Sequence, residues 1–328
     1  METASSPRDA ALGSFLGACA GDAAGATLEF QNDISPQAVH KAMQMVGGGI
    51  WRTAPGQITD DCELALCLAH GLAGSAAFDR EAIARHYVRW MESPPFDIGN
   101  TTRNGLGAYR RPGCDREQPA ACMDAAAQQH NMGSKANGSL MRAVPLGIWG
   151  APFRDTELAE FARLDSRLTH PNDSCWQAVA AYIIAIAQLM RAPGDRAGAL
   201  ARVHGWADAH ANEEVCRWLA EAENDVPVPY APLIGFVRIG FVHAFRHLRR
   251  GTPYEEAIAE TLAGGGDTDT NACIVGGLVG AAAGAAAIPE RMRTAVLTCD
   301  TTHGQPRPAF LHTTQLPDLV KTLLAVHG

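Results

Sequence analysis

The chain alternates apolar runs, spaced three and four residues apart, with short clusters of proline, glycine, asparagine and aspartate. That spacing is typical of amphipathic helices, and the clusters are typical of the turns between them. No stretch alternates apolar and polar residues for long enough to predict a strand. The pattern predicts an all-α fold with helices at 8–24, 61–73, 79–91, 101–109, 118–130, 138–147, 156–168, 172–191, 196–210, 212–222, 233–250, 254–263, 270–284, 289–298 and 314–327.

Alanine and glycine are abundant and only 6% of the residues are aromatic, which favours closely packed helices over a β-sandwich. Residues 272–288 are uncharged and carry Gly276, Gly280 and Gly284 at four-residue spacing. This spacing occurs between transmembrane helices, but a span needs about 20 strongly apolar residues. We therefore expect a buried helix that packs through its glycines, and no membrane span.

The formal charge of −8 and the absence of a lysine or arginine run argue against a nucleic-acid partner. Nine cysteines without a CxxC motif predict reduced, mostly buried thiols in a cytoplasmic protein. The start METASSPRDA lacks the features of a secretory signal. We expect a monomer with one domain over 1–328, in which 1–9 are disordered and 301–328 form an extension or the last helix.

The first cluster of chemical interest is Thr59-Asp60-Asp61, at the start of the predicted helix 61–73. One interpretation is structural: Asp60 caps the helix and Glu63 closes a capping box. A cap needs only one carboxylate, however, and two adjacent carboxylates repel each other unless a cation lies beside them. Taken alone, this cluster leaves both interpretations open.

The second cluster, Asp267-Thr268-Asp269-Thr270, follows three glycines that let the backbone turn sharply and approach a ligand. A helix cap explains one of its carboxylates but not the other. Oxygen ligands without histidine or cysteine suit Mg²⁺, Mn²⁺ or Ca²⁺ better than zinc. If the two clusters converge, they form an oxygen-rich cage for divalent cations, which indicates a metal-dependent hydrolase.

Three further segments allow a structural or a functional interpretation. The glycines around Asp22 either end a helix or form a turn that points Glu29 into a site. The segment 137–142, NGSLMR, is an ordinary turn or a phosphate cradle built from backbone N–H groups, a hydroxyl and an arginine. His170, beside a proline, is structural or lines a site.

Five segments carry a family resemblance: GDAAGATLE, TDDCELAL, DIGNTTRNG, NGSLMRAVPLG with LTHPN, and GGDTDTNACIVGGLVGA. Their order and wording resemble the ADP-ribosylglycohydrolase family over about residues 10–300, and DIGNTT and NGSLMR are most similar to its dinitrogenase-reductase-activating branch, which resembles enzymes that remove ADP-ribose from arginine. The resemblance implies a compact orthogonal helical bundle with two divalent cations, Mg²⁺ or Mn²⁺. Cys62 departs from the Thr or Ser that the family often has there, and we expect it to be buried.

The resemblance also implies a role for individual residues. The expected metal ligands are Thr59, Asp60, Asp61, Asp267, Asp269 and Thr270. The expected substrate-binding residues are Asn100, Thr101, Asn137, Gly138, Ser139, Met141, Arg142, His170 and Gly266, of which Gly138, Ser139 and Arg142 would lie near the pyrophosphate. The catalytic candidates are Asp60, Asp61, Glu29 and Asp97, where Asp97 would hold the guanidinium of the modified arginine and Glu29 would face the distal ribose.

The implied reaction cleaves the bond between ribose C1″ and a guanidinium nitrogen, which builds positive charge on the sugar. Two metals would orient the ribose diol and supply an activated water. The expected partner is an ADP-ribosylated protein, and the product is ADP-ribose. Three alternatives stay open: hydrolysis of O-linked ADP-ribose (on serine, or as O-acetyl-ADP-ribose), non-catalytic ADP-ribose binding, and phosphohydrolysis that releases AMP.

Overall fold

The computed structural model describes residues 4–326, and these residues form helices with no β-strand, only two isolated bridges. The all-α prediction is therefore confirmed. In chain order the α-helices are α1 (Pro7–Gly25), α2 (Pro36–Met43), α3 (Asp60–Leu72), α4 (Arg80–Glu92), α5 (Asn100–Leu106), α6 (Ala120–Asn131), α7 (Val144–Trp149), α8 (Asp155–Ser166), α9 (Asp173–Arg191), α10 (Arg196–His210), α11 (Glu213–Glu223), α12 (Val237–Arg250), α13 (Tyr254–Ala263), α14 (Thr268–Ala283), α15 (Glu290–Leu297) and α16 (Leu316–Ala325). Short 3₁₀ helices lie at Gly107–Arg110, Ala285–Ala287, Thr301–His303, Ala309–Leu311 and Thr313–Gln315.

Most predicted helices lie within a few residues of the observed ones, but α2 was not predicted. Its start does carry a signal, because Ser35 accepts a hydrogen bond from the N–H of Ala38 and Pro36 occupies the first helical position. The helix buries only Val39, Ala42 and Met43. Its apolar pattern is therefore too short to stand out.

Two helix starts were predicted too early, at 138 and at 233. Residues before Val144 form turns, because the N–H groups of Leu140 and Met141 both donate to the carbonyl of Asn137. The segment before α12 pairs with this turn region instead of coiling: Val237 N–H donates to the carbonyl of Lys135 at 2.9 Å. Tertiary hydrogen bonds thus override the apolar spacing in both segments.

The prediction that residues 1–9 are disordered is wrong for the residues that the structure describes, from Ala4 onward. Ala4 is buried, and its N–H donates to the carbonyl of Ala282 at 3.1 Å. Ser6 is the N-cap residue of α1, and its hydroxyl accepts a hydrogen bond from the N–H of Asp9. At the other end, the predicted helix 314–327 is α16, and its predicted last residue lies outside the described residues.

Two cysteines differ from the expectation of reduced thiols, because Cys114 and Cys122 form a disulfide. The turns between residues 111 and 118 lead the chain back so that Cys114 faces the first turn of α6. Nothing in the spacing of these two residues signals the bond. The expectation holds for Cys62, Cys67, Cys175 and Cys273, which are free and buried.

The contact between α1 and α14 is the most extensive helix–helix contact within residues 4–326. The helices run antiparallel: a Cβ added to Gly17 would lie 2.5 Å from the carbonyl oxygen of Gly276, and one on Gly280 would lie 2.1 Å from that of Gly13. Only glycine permits such contact. The predicted buried helix with a glycine stripe is confirmed. None of the helices formed by residues 4–326 combines the length and the apolar character that a membrane crossing requires.

The same contact continues to the polar end of both helices. A Cβ on Gly25 would lie 2.4 Å from the Cα of Asp269, and the hydroxyl of Thr268 donates to the carbonyl of Gly25 at 2.8 Å. The register of α1 on α14 therefore places the end of one helix against the start of the other. The second acidic cluster lies at this junction.

We expect Gly17→Ala to lower the free energy of unfolding by about 1–3 kcal/mol, because the added methyl group forces the two backbones apart. Gly205→Ala is the matched control: this glycine lies inside α10 with no atom near its missing Cβ. The control should gain about 0.5–1 kcal/mol from helix propensity. Urea denaturation of both variants tests the pair, and equal effects would contradict the packing role of Gly17.

Candidate functional site

A cleft of about 400 Å³ opens where the starts of α3, α5 and α14 converge with the loop after α1. Both predicted acidic clusters contribute to it. The residues singled out from the sequence that line it are Glu29, Asp60, Asp97, Asn100, Thr101, Asn137, Gly138, Met141, His170, Asp267, Asp269 and Thr270. The structure thus brings together segments that lie up to about 240 residues apart in the chain.

Asp22 organises the start of α3. Its buried carboxylate accepts hydrogen bonds from Thr59 N–H at 3.0 Å, from the Thr59 hydroxyl at 2.9 Å and from Cys62 N–H at 3.1 Å. These bonds satisfy N–H groups at a helix start, which otherwise lack partners. Thr59, not Asp60, is the N-cap residue. Asp60 and Asp61 are therefore not needed to cap the helix.

Glu63 does not close a capping box either. Its carboxylate accepts hydrogen bonds from Arg307 Nε at 2.7 Å and from Trp90 Nε1 at 2.7 Å, and the pair with Arg307 is almost fully buried. The structural interpretation of the first acidic cluster is therefore wrong. Arg307 belongs to the segment after residue 300, so this segment stabilises the first turn of α3 through Glu63.

Asp61 lies beneath the cleft and is 1% exposed. Its Oδ2 lies 2.9 Å from the hydroxyl oxygen of Thr59, whereas its Oδ1 is buried without a partner among the described residues. Burial raises the pKa of Asp61 well above its usual range, and the charges of Asp22 and Asp60 add to the shift. An unpaired buried carboxylate oxygen is costly, and a cation beside it removes that cost.

In the second cluster only Asp269 bonds to the helix start, where its Oδ1 accepts a hydrogen bond from the N–H of Thr270 at 2.8 Å. Asp267 is the N-cap residue of α14 but makes no capping hydrogen bond with its side chain; its Oδ2 accepts from Asn137 Nδ2 at 2.7 Å. Asp269 is 1% exposed, and burial raises its pKa, with further contributions from Glu29 and Asp61. The carboxylates of the two clusters therefore raise one another's pKa across the cleft.

Three carboxylates meet most closely: one oxygen each from Glu29, Asp97 and Asp269 lies within 4.8 Å of the other two. Burial raises the pKa of Glu29 to about 8, with a further contribution from Asp97, and that of Asp97 to about 6, with a further contribution from Asp267. Within residues 4–326, no lysine or arginine forms an ion pair with these three groups. The oxygen-only, anionic donor set fits Mg²⁺ or Mn²⁺.

This arrangement differs in part from the six expected metal ligands. Only Asp269 belongs to both groups, because Glu29 and Asp97 were expected to be catalytic residues. Thr59 and Asp61 lie just below the lining of the cleft. Glu29 is held toward the cluster by Trp51, whose indole N–H donates to its carboxylate.

Arg142 does not reach the cleft, which corrects its expected place near a pyrophosphate. Its fully buried guanidinium donates from Nε to Asp165 Oδ2 at 3.0 Å, and from Nη1 to the carbonyl of Gly138 at 3.2 Å and to Thr169 Oγ at 3.0 Å. All these bonds stay inside the protein. Arg142 therefore supports the turn from beneath. Ser139 is likewise fully buried and absent from the lining of the cleft.

Gly266 also lies outside the lining, and its role is structural. Its N–H donates to the carbonyl of Gln31, and its own carbonyl accepts from the N–H of Phe30 at 2.8 Å. Its φ of +73° is a conformation that favours glycine. These bonds hold the loop after Glu29 against the start of α14.

Several cleft residues were missed by sequence reasoning. Apolar residues of irregular segments form part of the wall, and their type carries no chemical signal: Phe30, Trp51, Ile98, Ala136 and Ile234. Phe30 and Ile234 are about half exposed. Asp22 did carry a signal, because it lies in the GDAAG segment, but the functional interpretation of that segment concerned only Glu29.

Comparison with known proteins identifies relatives of this chain. The model of the family described as ADP-ribosylglycohydrolase matches residues 3–325. The chain is 30% identical to ADP-ribosyl-[dinitrogen reductase] glycohydrolase of Rhodospirillum rubrum over 88% of this chain and 90% of that protein. It is 34% identical to ADP-ribosylarginine hydrolase Tri1 of Pseudomonas putida over 53% of this chain and 46% of that protein. A solved structure titled ADP-ribosylglycohydrolase-related protein complex superposes with a TM-score of 0.76 at 26% identity, covering 98% of this chain and 99% of that one.

We expect binding of Mn²⁺ to release protons near pH 7. The pKa values of Asp97 and Glu29, about 6 and about 8, leave protons in the cluster that a cation displaces. Affinity should therefore rise as the pH increases from 6 to 8. Calorimetric titration with Mn²⁺ in two buffers of different ionisation enthalpy measures the release directly.

Asp208→Asn is the control for this titration, because Asp208 lies exposed on α10, away from the cleft. It should leave the proton release unchanged, whereas Glu29→Gln should reduce it. Identical heats in both buffers together with a pH-independent affinity would contradict the assignment of the carboxylates.

Proposed function

The chain belongs to the ADP-ribosylglycohydrolase family, and from that premise we propose that it is a metal-dependent hydrolase that removes ADP-ribose from arginine side chains of modified proteins. The observation that carries the proposal is the group of buried carboxylates at the starts of α3 and α14, which opens into the cleft without a basic partner among residues 4–326. Such a group is unfavourable by itself and becomes favourable around divalent cations.

The residues that would hold two divalent cations, Mg²⁺ or Mn²⁺, are Thr59, Asp60, Asp61, Asp267, Asp269 and Thr270. When bound, such cations polarise sugar hydroxyls and lower the pKa of water. The unpaired Oδ1 of Asp61 supports this assignment. Asp22 holds the backbone of Thr59 and Cys62 and thereby keeps the ligand-bearing turn in place.

Asp97 is placed to recognise the leaving group. It lies on the loop before α5, lines the cleft and is close enough to Glu29 to share a cation or a cationic ligand. A carboxylate binds a guanidinium through charge-assisted hydrogen bonds, which are stronger than neutral ones. The similarity to the Pseudomonas putida relative, an ADP-ribosylarginine hydrolase, supports this acceptor.

Glu29 and Asp60 are the remaining candidates to move a proton. Glu29 has a raised pKa of about 8, so its carboxyl is largely protonated at neutral pH when no cation is bound, and burial also raises the pKa of Asp60. A bound cation would lower both pKa values, so that an ionised Glu29 or Asp60 can accept a proton from the attacking water and pass it to the departing guanidine nitrogen. Trp51 fixes the direction of the Glu29 carboxylate through its indole N–H.

The walls of the cleft suit a ligand with both polar and apolar parts. Asn137 and Gly138 lie at one side with backbone and amide groups, while Phe30 and Ile234 form an apolar rim. The polar groups match the ribose and phosphate hydrogen-bonding atoms, and the rim suits a base or a protein surface. We propose a cytoplasmic location for this activity, which the free, mostly buried cysteines favour.

We expect Asp97→Asn to lower kcat/KM on an ADP-ribosyl-arginine peptide by about 10- to 100-fold, the loss of one charge-assisted hydrogen bond. On an ADP-ribosyl-serine peptide, whose acceptor is neutral, the loss should stay below about threefold. The measurement is release of ADP-ribose by chromatography, with Mg²⁺ and Mn²⁺ tested separately. Asp208→Asn serves as the matched control and should leave both rates unchanged.

Other results of this hydrolysis assay would identify one of the alternative functions. Equal losses on both linkages would contradict the role of Asp97, and a wild-type protein active only on the serine peptide would show an O-linked specificity. Release of AMP would show a phosphohydrolase. No release from either peptide by a metal-loaded wild-type protein would overturn the enzymatic proposal.

A further inference from the structure

A chain of buried polar side chains leads from the core into the cleft. Asp165 accepts from Arg142 Nε at 3.0 Å, Arg142 Nη1 donates to Thr169 Oγ at 3.0 Å, and Thr169 Oγ lies 2.8 Å from Nδ1 of His170. The first three residues are at most 1% exposed. His170, the fourth, lines the cleft. The position of each proton along this chain follows from the donor capacity of each group.

The charge at the start of the chain is fixed. Arginine keeps its protons at any pH a protein experiences, so Arg142 acts only as a donor. Asp165 is held in place from its other oxygen by the hydroxyl of Tyr87, which donates to Oδ1 at 2.7 Å. Asp165 and Arg142 therefore form an ion pair in which the donor and the acceptor cannot exchange roles.

The hydroxyl of Thr169 extends this donor-to-acceptor direction of the hydrogen bonds from Arg142 to His170. It accepts one N–H from Arg142, which leaves its own proton and one lone pair for a further partner. Within residues 4–326, the only other hydrogen-bond partner of this hydroxyl is Nδ1 of His170. If Nδ1 carried the proton, the Thr169 hydroxyl proton would point at no acceptor within the described part of the chain. The satisfied arrangement has Thr169 donating to an unprotonated Nδ1.

His170 is then neutral and carries its proton on Nε2. Burial, with a contribution from the nearby Arg142 charge, lowers the pKa of His170 to about 3, so the ring holds one proton over the physiological range. Nε2 makes no hydrogen bond to the protein within residues 4–326. It lies beside Gly138, where an added Cβ would come within 3.0 Å of it. The absence of a side chain at Gly138 therefore leaves room beside Nε2 at the lining of the cleft, although His170 as a whole is only 1% exposed.

We propose that Arg142 and Thr169 are positioning residues that fix His170 in its Nε2–H tautomer, so that His170 donates one hydrogen bond to an acceptor oxygen of the bound ligand. Arg142 thus acts through two intervening groups rather than by contact with a phosphate. The identity of the ligand as ADP-ribose rests on the proposed function, whereas the tautomer does not. A neutral donor of fixed direction recognises an oxygen acceptor without adding charge to the cleft.

The direct test is the tautomeric state of His170, measured by ¹⁵N–¹H correlation spectroscopy of the imidazole ring in the ligand-free protein. We expect the wild type to show a protonated Nε2 and an unprotonated Nδ1. Thr169→Val keeps the shape of the side chain but removes the hydroxyl, so we expect signals of the Nδ1–H tautomer to appear. Thr169→Ser restores the hydroxyl and should return the wild-type pattern.

The functional consequence is measured by calorimetric binding of ADP-ribose. Thr169→Val should weaken binding about threefold to tenfold, the effect of losing one hydrogen bond from part of the population, and Thr169→Ser should stay within about twofold of the wild type. Circular dichroism of each variant checks that a change in affinity is not a loss of fold.

The two measurements separate two kinds of failure. A wild-type protein with the proton on Nδ1, or an unchanged tautomer in Thr169→Val, would overturn the positioning role whatever ligand is bound. The predicted tautomer in a protein that does not bind ADP-ribose would leave the positioning intact and contradict the proposed function and the named ligand. The predicted tautomer with equal ADP-ribose affinity in Thr169→Val and Thr169→Ser would overturn the hydrogen bond to the ligand.

Discussion

The close contact between α1 and α14 is the constraint on which the site depends. Glycines on both helices let the backbones touch along their whole length, from Gly13 against Gly280 to Gly25 against Asp269. Because the helices are antiparallel and in fixed register, Asp22 near the end of α1 lies in the same region as the start of α14. Asp22 in turn holds the first turn of α3. One packing contact therefore brings both acidic clusters to a single place.

Buried carboxylates in this protein fall into two groups that differ in their partners. Asp165 is paired with Arg142, Glu63 is paired with Arg307, and Asp22 accepts backbone N–H groups, so each is satisfied by the protein. The carboxylates that open into the cleft lack such cations within residues 4–326. Burying like charges without compensation opposes folding, and a bound cation or a cationic ligand would supply the missing charge.

The sequence predicts the helical class, most helix positions and many of the polar residues that line the cleft, because apolar spacing and acidic clusters are local properties. It cannot predict how side chains are used once the chain is folded. Arg142 looked like a phosphate ligand beside the NGSLMR turn, yet it is taken up by Asp165, a residue 23 positions away. Glu63 looked like half of a capping box and is bound by Arg307, 244 positions away. Such partners become visible only in three dimensions.

If the acidic clusters of α3 and α14 form one centre for divalent cations, crystals grown with Mn²⁺ should hold manganese in the cleft. Anomalous X-ray diffraction from such crystals locates manganese without any assumption about activity. We expect two anomalous peaks in the cleft, with carboxylate oxygens of Asp60, Asp61 and Asp269 as ligands. The absence of manganese from the cleft at saturating concentration, or its binding only at other surface carboxylates, would show that the clusters do not form a cation centre.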